Sequence, residues 1–268
     1  MAKSVASDAA RVDCRIDEYV ARVIINHPRR RNAVTYAMWQ TFGDVLDKVI
    51  DDTKVRVVIL SGEGEQAFSA GNDISEFGQW RDDPAKLAQY DARSGRVYRL
   101  LRSCEKPIVA LIRGVCVGGG LELALLCDLR VAAENARFGI TPAKLGLGYK
   151  LDDIQLVVDA IGANNAKLLL FTGRLFSAAE AANLGLINQV APLIEVEAEV
   201  DALAEEIAHN APLTVRELKV AIAEALKTEG ARDRARVQAL VDACHDSEDF
   251  QEGQKAFKDK RNPQFRGR

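Results

Sequence analysis

Short runs of aliphatic residues place the strongest constraint on how this chain can fold. The segments "VRVVIL" (residues 55–60) and "PIVALI" (107–112) lack the apolar–polar alternation of a half-exposed strand. They therefore predict strands that are buried in a sheet, and "LRVAA" (129–133) predicts another strand. Helical patterns separate these runs, and buried strands that alternate with helices indicate an α/β core.

The pattern divides the chain into three parts. Residues 1–10 are expected to be disordered, residues 11–195 to form the α/β core, and residues 196–268 to form a helical region. Within the core, Ser177 and Glu180 have the spacing of a capping box, which predicts that a helix begins there.

Composition limits the partners and the compartment. The chain has 268 residues and a formal net charge of -3, which gives no electrostatic reason to expect nucleic-acid binding. Its five cysteines are scattered, so we expect reduced thiols, with neither a zinc site nor a disulfide framework. No uncharged run reaches the roughly 18 residues of a membrane span, and the first residues lack an apolar signal core. These observations predict a cytoplasmic protein without a metal ion or a membrane partner.

Motifs of other enzyme classes lack the context that their chemistry needs. The segment "GEGEQA" (62–67) fits the glycine spacing of a dinucleotide-binding loop, but its two glutamates would repel a pyrophosphate. No G-x-S-x-G elbow of a serine hydrolase is present, and the three histidines do not recur at the spacing of metal ligands.

Two loops carry the pattern of an anion-binding site. "AFSAGNDISEF" (67–77) and "GVCVGGGLELALLCD" (114–128) both place small residues before an expected helix start. The first N–H groups of a helix have no partner within the helix, and the helix dipole adds partial positive charge there. Each loop alone is also compatible with a simple strand-to-helix turn. Two such ends directed at one point would form an oxyanion hole.

The chain resembles the crotonase superfamily, also called the enoyl-CoA hydratase/isomerase family, from about Val12 to Phe265. The matching segments are "NHPRRRNAV", "AFSAGNDI", "KPIVALIRGVCVGGGLELALLCDLRVAAENARFGITPAKLGLG", "FTGRLFSAAEAANLGLINQV" and "EGQKAFKDKR". This resemblance implies an α/β fold of spiral β-β-α turns with a C-terminal helical region used in trimerisation. It also implies homotrimers or hexamers (dimers of trimers) and an acyl-CoA thioester substrate, with no cofactor besides the coenzyme A of that substrate.

The resemblance also assigns site residues by position. It implies that the backbone N–H groups of Asn72 and Gly119 bind the thioester oxygen as it becomes an enolate. Glu122 matches one of the two catalytic glutamates of the family's hydratases. Weaker matches to coenzyme A-binding positions, the last two sometimes acting across a subunit boundary, are Arg30, Arg31, Ala70, Gly71, Ile74, Phe257 and Lys260.

The setting of Glu122 is consistent with proton transfer. It follows Gly119 by three residues, so both lie near the same side of the first helical turn. Its neighbours are apolar, so desolvation should raise its pKa while the helix start opposes this. A carboxyl group tuned toward neutrality exchanges protons readily. The alternative is that Glu122 only complements the helix dipole.

The second glutamate of the family's hydratases is missing. They typically read F-G-x-P-E, whereas this chain reads "FGITP" at 138–142, which puts Pro142 in the place of the glutamate. Candidates for a replacement are Tyr149, Asp152 and Asp153. The alternative for the aspartates is a helix N-cap, with Asp152 placed before the next helix, and the alternative for Tyr149 is a packing residue at the pocket wall.

Three functions are therefore considered. The first is an enzyme of the hydratase/isomerase group that uses the oxyanion hole and Glu122. The second is a decarboxylase of substituted malonyl-CoA, which needs the same oxyanion hole but no strong base and is favoured by Tyr149. The third is a non-catalytic coenzyme A-binding or assembly protein, which the presence of Glu122 disfavours.

Overall fold

The computed structural model describes residues 9–76, 78 and 83–268, so most of the segment expected to be disordered lies outside the described residues. Ten strands are described: β1 (Arg11–Asp17), β2 (Val20–Asn26), β3 (Val57–Gly62), β4 (Ala67–Ser69), β5 (Ile108–Ile112), β6 (Val115–Val117), β7 (Leu129–Ala133), β8 (Arg137–Gly139), β9 (Phe176–Ser177) and β10 (Gln189–Ala191).

Ten α-helices are described in the same ranges: α1 (Tyr36–Asp51), α2 (Pro84–Ser103), α3 (Gly119–Leu125), α4 (Pro142–Leu145), α5 (Leu151–Thr172), α6 (Ala178–Leu184), α7 (Val196–His209), α8 (Pro212–Ala225), α9 (Arg234–His245) and α10 (Glu248–Asp259). Short 3-10 helices cover Pro28–Arg30, Ile74–Glu76 and Glu229–Ala231.

The strands form two sheets. The larger has the order β1-β2-β3-β5-β7-β10, and only its β1–β2 pair is antiparallel. The smaller has the order β4-β6-β8-β9, in which β4, β6 and β8 run parallel. The chain repeatedly places one strand in the larger sheet, the next in the smaller sheet and then a helix, as in β3-β4-α2 and β5-β6-α3. The α/β fold of spiral β-β-α turns is thus confirmed.

Local signals in the sequence explain where the elements form. All residues of β3 and β5 are buried, as their largely aliphatic sequences predict. The Ser177–Glu180 capping box is formed, and α6 ends at Gly185 in the left-handed conformation. The predicted helix start therefore lies where the sequence places it.

The larger sheet is covered on both faces. The main apolar cluster joins one face to α1, α2, α3 and part of α5. On the other face, α7 packs an apolar stripe at four-residue spacing onto β3, β5 and β7; its residues are Val196, Val200, Ala204 and Ala208. The expected helical region after residue 195 thus begins with a helix that covers the sheet. Its role in trimer assembly stays a prediction.

The helix α5 changes direction in its middle. By length and composition alone, it is the one helix within the described ranges that is apolar enough to cross a membrane. Its backbone is not helical at Gly162, where φ is 72°. Each of the two parts is shorter than the roughly 20 residues that a spanning helix needs.

Candidate active site

The two glycine-bearing loops meet because the strands before them pair. β4 and β6 run parallel, with Ala67 opposite Val115, so the chain leaves both strands at the same edge of the smaller sheet. A Cβ atom built on Gly71 would lie 2.8 Å from the amide nitrogen of Gly119. Gly71 also has a φ of 83°, which side-chain-bearing residues rarely adopt. A larger residue at position 71 would therefore separate the two loops.

Backbone groups next to Asn72 and Gly119 form hydrogen bonds within the described ranges, whereas the N–H groups of these two residues do not. The Val34 amide donates to the carbonyl of Gly71 at 2.8 Å, and the Gly118 amide donates to the carbonyl of Gly139 at 2.9 Å. Among the described residues, the N–H groups of Asn72 and Gly119 have no acceptor. A Cβ atom on Gly119 would lie 3.8 Å from the Asn72 nitrogen, so both groups border one space.

Local structure differs between the two loops. Gly119 is the first residue of α3, as the sequence predicts. After Asn72 the described residues form the 3-10 helix Ile74–Glu76, and the Asp73 carboxylate accepts from the amide of Ser75 at 3.0 Å and from its hydroxyl at 2.7 Å. Phe77, the last residue of the expected motif, lies outside the described residues. In the described part of the chain, Gly119 thus begins an α-helix, whereas Asn72 lies two residues before a 3-10 helix.

Glu122 is the buried carboxylate of this region. Its side chain lies on the first turn of α3, and the residue is only 6% exposed. Its Oε2 accepts a hydrogen bond from the Tyr98 hydroxyl at 2.6 Å. Its Oε1 accepts another from the Tyr149 hydroxyl. Each carboxylate oxygen thus has a phenol donor.

Burial raises the pKa of Glu122 above the usual range of a glutamate. The hydrogen bonds from Tyr149 and Tyr98 oppose this shift because they stabilise the ionised form. The negative charge of Asp153 raises the pKa further, and the positive charge of Lys150 lowers it. The net direction is upward, which agrees with the desolvation argument made from the sequence.

One cleft of about 530 Å³ brings the predicted catalytic positions together. Its wall includes Asn72, Gly119, Glu122, Tyr149, Asp152 and Asp153. The arrangement can hold an anionic oxygen on two N–H groups while a buried carboxyl group takes or gives a proton beside it.

The position that matches the family's second glutamate holds no carboxylate. Pro142 is the first residue of the one-turn helix α4 and carries no group that can titrate. Helix α5 begins at Leu151, with Lys150 as its N-cap. The interpretation of Asp152 as the N-cap was therefore wrong, because Lys150 already has the extended backbone of a cap and its carbonyl accepts from Ile154 at 3.1 Å.

The structure distinguishes the two adjacent aspartates. Asp152 is exposed, whereas Asp153 is half-buried and burial raises its pKa. The charge of Asp153 raises the pKa values of Glu122, Tyr98 and Tyr149, so it lies within electrostatic reach of all three. Asp153 is thus the carboxylate that is coupled to Glu122.

Tyr98 was not among the residues predicted for the site. It stands on α2, one of the helices between the buried strands. A signal was present, because Tyr90, Ser94, Tyr98 and Arg102 recur every four residues and all four line the cleft. The spacing indicates a shared helix face but not what that face contacts.

The positions matched to coenzyme A binding are distributed over the surface. Arg30 and Arg31 are exposed, and the Ala70 amide donates to the carbonyl of Arg31 at 2.9 Å beside Gly71. Ile74 is 70% exposed. These roles stay predictions.

The two matched positions near the C-terminus lie apart from the cleft. Phe257 is 86% exposed and borders a separate cavity between α8, α9 and α10. Lys260 ends α10 in the left-handed conformation. Neither is part of the wall around Glu122, so their contribution to coenzyme A binding in one chain stays a prediction.

Within the described ranges, no group of three or more His, Cys, Asp or Glu side chains can hold a metal ion.

Comparison with known proteins identifies the family. The model of the family described as enoyl-CoA hydratase/isomerase matches residues 15–268. Crotonyl-CoA hydratase of Syntrophomonas wolfei is 33% identical over 249 residues, covering 93% of this chain and 95% of that protein. Short-chain-enoyl-CoA hydratase of Clostridium acetobutylicum is 33% identical over 242 residues, covering 90% and 92%.

A solved structure supports the same assignment. The crystal structure of an enoyl-CoA hydratase/carnithine racemase from Magnetospirillum magneticum has a TM-score of 0.89 and 33% identity, and 96% of each chain is covered. The chain therefore belongs to the enoyl-CoA hydratase/isomerase family of the crotonase superfamily.

Proposed function

We propose that this protein transforms acyl-CoA thioesters through an enolate-like state bound by the N–H groups of Asn72 and Gly119, with Glu122 as acid and base. The observation that carries the proposal is that two backbone donors without acceptors and a buried carboxylate border one cleft. A donor of this kind contributes roughly 10²–10³ in rate when it meets a developing negative oxygen.

The pair of N–H groups and the Glu122 carboxylate act on the same thioester. Negative charge that accumulates on the thioester oxygen is stabilised by both N–H groups, and at Gly119 also by the positive end of the α3 dipole. This stabilisation makes the carbon next to the carbonyl more acidic. The Glu122 carboxylate can then take a proton from the acyl chain while the C–H electron pair enters the enolate.

The fate of that proton decides the reaction. Return of the proton to a different carbon isomerises the double bond. In hydration, ionised Glu122 takes a proton from water, the water oxygen bonds to the β-carbon, and the C=C electron pair forms the enolate, whose α-carbon then receives that proton from Glu122. The raised pKa of Glu122 favours both roles, because the protonated and ionised forms are then closer in energy near neutral pH.

We propose Asp153 as the second carboxylate, in place of the residue that Pro142 displaces. It lines the same cleft and its charge acts on Glu122, whereas Asp152 is exposed. The relatives named crotonyl-CoA hydratase and short-chain-enoyl-CoA hydratase favour enoyl-CoA substrates with short acyl groups. Asp153 would orient the attacking water or receive a proton from the acyl chain.

Decarboxylation of a substituted malonyl-CoA is the second candidate. The hydrogen bond from Tyr149 to Glu122 and the presence of Pro142 favour it. In that reaction the bond to the carboxylate breaks, carbon dioxide leaves, and the electron pair forms the enolate, which then takes a proton. The same two N–H groups would bind its oxygen, and no carboxylate would be needed to remove a proton.

The decisive experiment compares Glu122→Gln with the wild type in hydration of crotonyl-CoA. Loss of the acid/base group is expected to lower kcat about 10²–10⁴-fold. Glu224→Gln is the matched control, because Glu224 is also buried, at 5% exposure, but does not line the cleft. Unchanged turnover by Glu122→Gln would contradict the proposed role.

A second assay separates the candidate reactions. Release of carbon dioxide from methylmalonyl-CoA or ethylmalonyl-CoA, without hydration of crotonyl-CoA, would favour the decarboxylase. Thermal stabilisation by acyl-CoA thioesters without any turnover would favour a binding protein. Assembly as a homotrimer or hexamer and a cytoplasmic location remain predictions from the family resemblance and the composition.

A further inference from the structure

We propose that Tyr98 is a positioning residue whose hydroxyl fixes the orientation of the Glu122 carboxylate in the cleft. The inference rests on the proposed function of Glu122. Tyr98 donates to Oε2 of Glu122 at 2.6 Å, across a sequence separation of 24 residues. A Cβ atom on Gly119 would lie 3.6 Å from this hydroxyl and 3.8 Å from the Asn72 nitrogen. The Tyr98 hydroxyl therefore borders the space between the carboxylate and the two N–H groups.

The Tyr98 ring is held by the core. It stands on α2, which packs against α1, and it makes an edge contact with the buried Trp39 ring at a centroid distance of 6.0 Å. The Trp39 indole in turn donates to the Tyr90 hydroxyl at 2.9 Å, on the same helix. A donor on a helix fixed in this way can hold its acceptor within a narrow range of positions.

Tyr149, the other donor to Glu122, is placed differently. It lies in the irregular segment between α4 and α5, whose residues are exposed or half-buried. Connecting segments of this kind move more than helices that are packed in a core. With Tyr149 alone, the carboxylate could pivot about one hydrogen bond. The Tyr98 bond to the other oxygen fixes the plane of the carboxylate against the rigid side of the cleft.

The hydrogen bond from Tyr98 should affect the pKa of Glu122, which can be measured. Burial and the negative charge of Asp153 raise the pKa of Glu122, while Lys150 and the two tyrosine hydroxyls lower it. Burial and the charge of Glu122 hold the pKa of Tyr98 well above its usual range, so its hydroxyl stays a donor. Loss of the Tyr98 hydroxyl would therefore raise the pKa of Glu122.

The test is Tyr98→Phe, measured as the pH profile of kcat/KM for hydration of crotonyl-CoA. Reactions that start from ionised Glu122 lose rate as the pH falls through its pKa. The acidic limb is therefore expected to move upward by about one pH unit, and kcat to fall about tenfold, because a hydrogen bond to a charged group is lost. Tyr19→Phe is the control, because Tyr19 is also a half-buried tyrosine but does not line the cleft. Its acidic limb should stay in place.

A double-mutant comparison separates positioning from general damage to the fold. In a Glu122→Gln background, Tyr98→Phe should cause no further loss, because the hydroxyl acts through the carboxylate. An equal loss in both backgrounds, or an acidic limb that does not move in Tyr98→Phe, would overturn the inference. Replacing Tyr98 with 3-fluorotyrosine keeps the ring and makes the hydroxyl a stronger donor, so this variant should move the limb to lower pH.

A readout without turnover distinguishes failure of this inference from failure of the proposed function. The infrared band of the protonated Glu122 carboxyl group, assigned by its absence in Glu122→Gln, gives the titration midpoint directly. An upward shift of that midpoint in Tyr98→Phe supports positioning even for a different reaction. An unshifted midpoint contradicts positioning even if Glu122→Gln is inactive.

Discussion

The two walls of the cleft differ in how firmly the fold holds them. Glu122 stands on α3, where residues 120–124 are all buried. Tyr149 and Asp153 stand on the segment 141–153, where every residue is exposed or half-buried. A substitution on the first wall disturbs the core, whereas the second wall can change with little effect on packing. We therefore expect substitutions that change the reaction to lie on the exposed wall rather than on the buried wall.

The largest effect is expected from Gly71→Ala on the buried wall. Its Cβ atom would lie 2.8 Å from the Gly119 nitrogen, and its φ of 83° adds backbone strain. Both N–H groups would move, so we expect a loss of at least 10²–10³ in kcat for crotonyl-CoA. Gly64→Ala is the control, because Gly64 also has a positive φ of 74° but nothing within 4 Å of the added atom. Equal kcat values for the two variants would show that turnover does not depend on the close approach of the loops at Gly71 and Gly119.

On the exposed wall, Asp153→Asn and Asp152→Asn provide a comparison of adjacent residues. Asp153 is half-buried and coupled to Glu122, so Asp153→Asn should lower kcat by roughly 10²-fold if it acts in proton transfer. Asp152 is exposed, and its variant should stay close to the wild type. Steady-state assays on crotonyl-CoA measure both. A larger effect at Asp152 would reverse the assignment of the second carboxylate.

The smallest effect concerns stability rather than rate. Because the pKa of Glu122 is raised in the folded state, the unfolded chain loses this proton at a lower pH than the folded chain. As the pH rises from the usual range of a glutamate toward the folded pKa, the free energy of unfolding therefore decreases. Glu122→Gln should remove this part of the decrease, because the glutamine amide does not titrate. Urea unfolding of the wild type and of Glu122→Gln at pH 4.5 and pH 7.5 measures the difference. An equal decrease in the free energy of unfolding of both proteins would contradict the raised pKa of Glu122.

The same contrast explains what could be predicted from the sequence. The buried wall is encoded locally: glycines, an apolar helix and one glutamate lie within "VGGGLELALL", so the free Gly119 amide and the buried Glu122 could be anticipated. Tyr98 could not, because its contact with Glu122 depends on how α2 packs against the core. Asp152 and Asp153 could not be separated, because the helix start is set by the backbone of Lys150 rather than by an aspartate side chain.

The pairing of β4 with β6 has a consequence for how the proposed site forms. The two donor groups belong to residues 72 and 119, and they come together only when two strands of three residues each have joined in parallel. The whole of α2 lies between these strands in the chain, within the crossover that joins them. A chain that contains α2 and α3 but has not paired β4 with β6 would therefore lack the proposed oxyanion site. The proposed site thus depends on tertiary pairing and not on either loop alone.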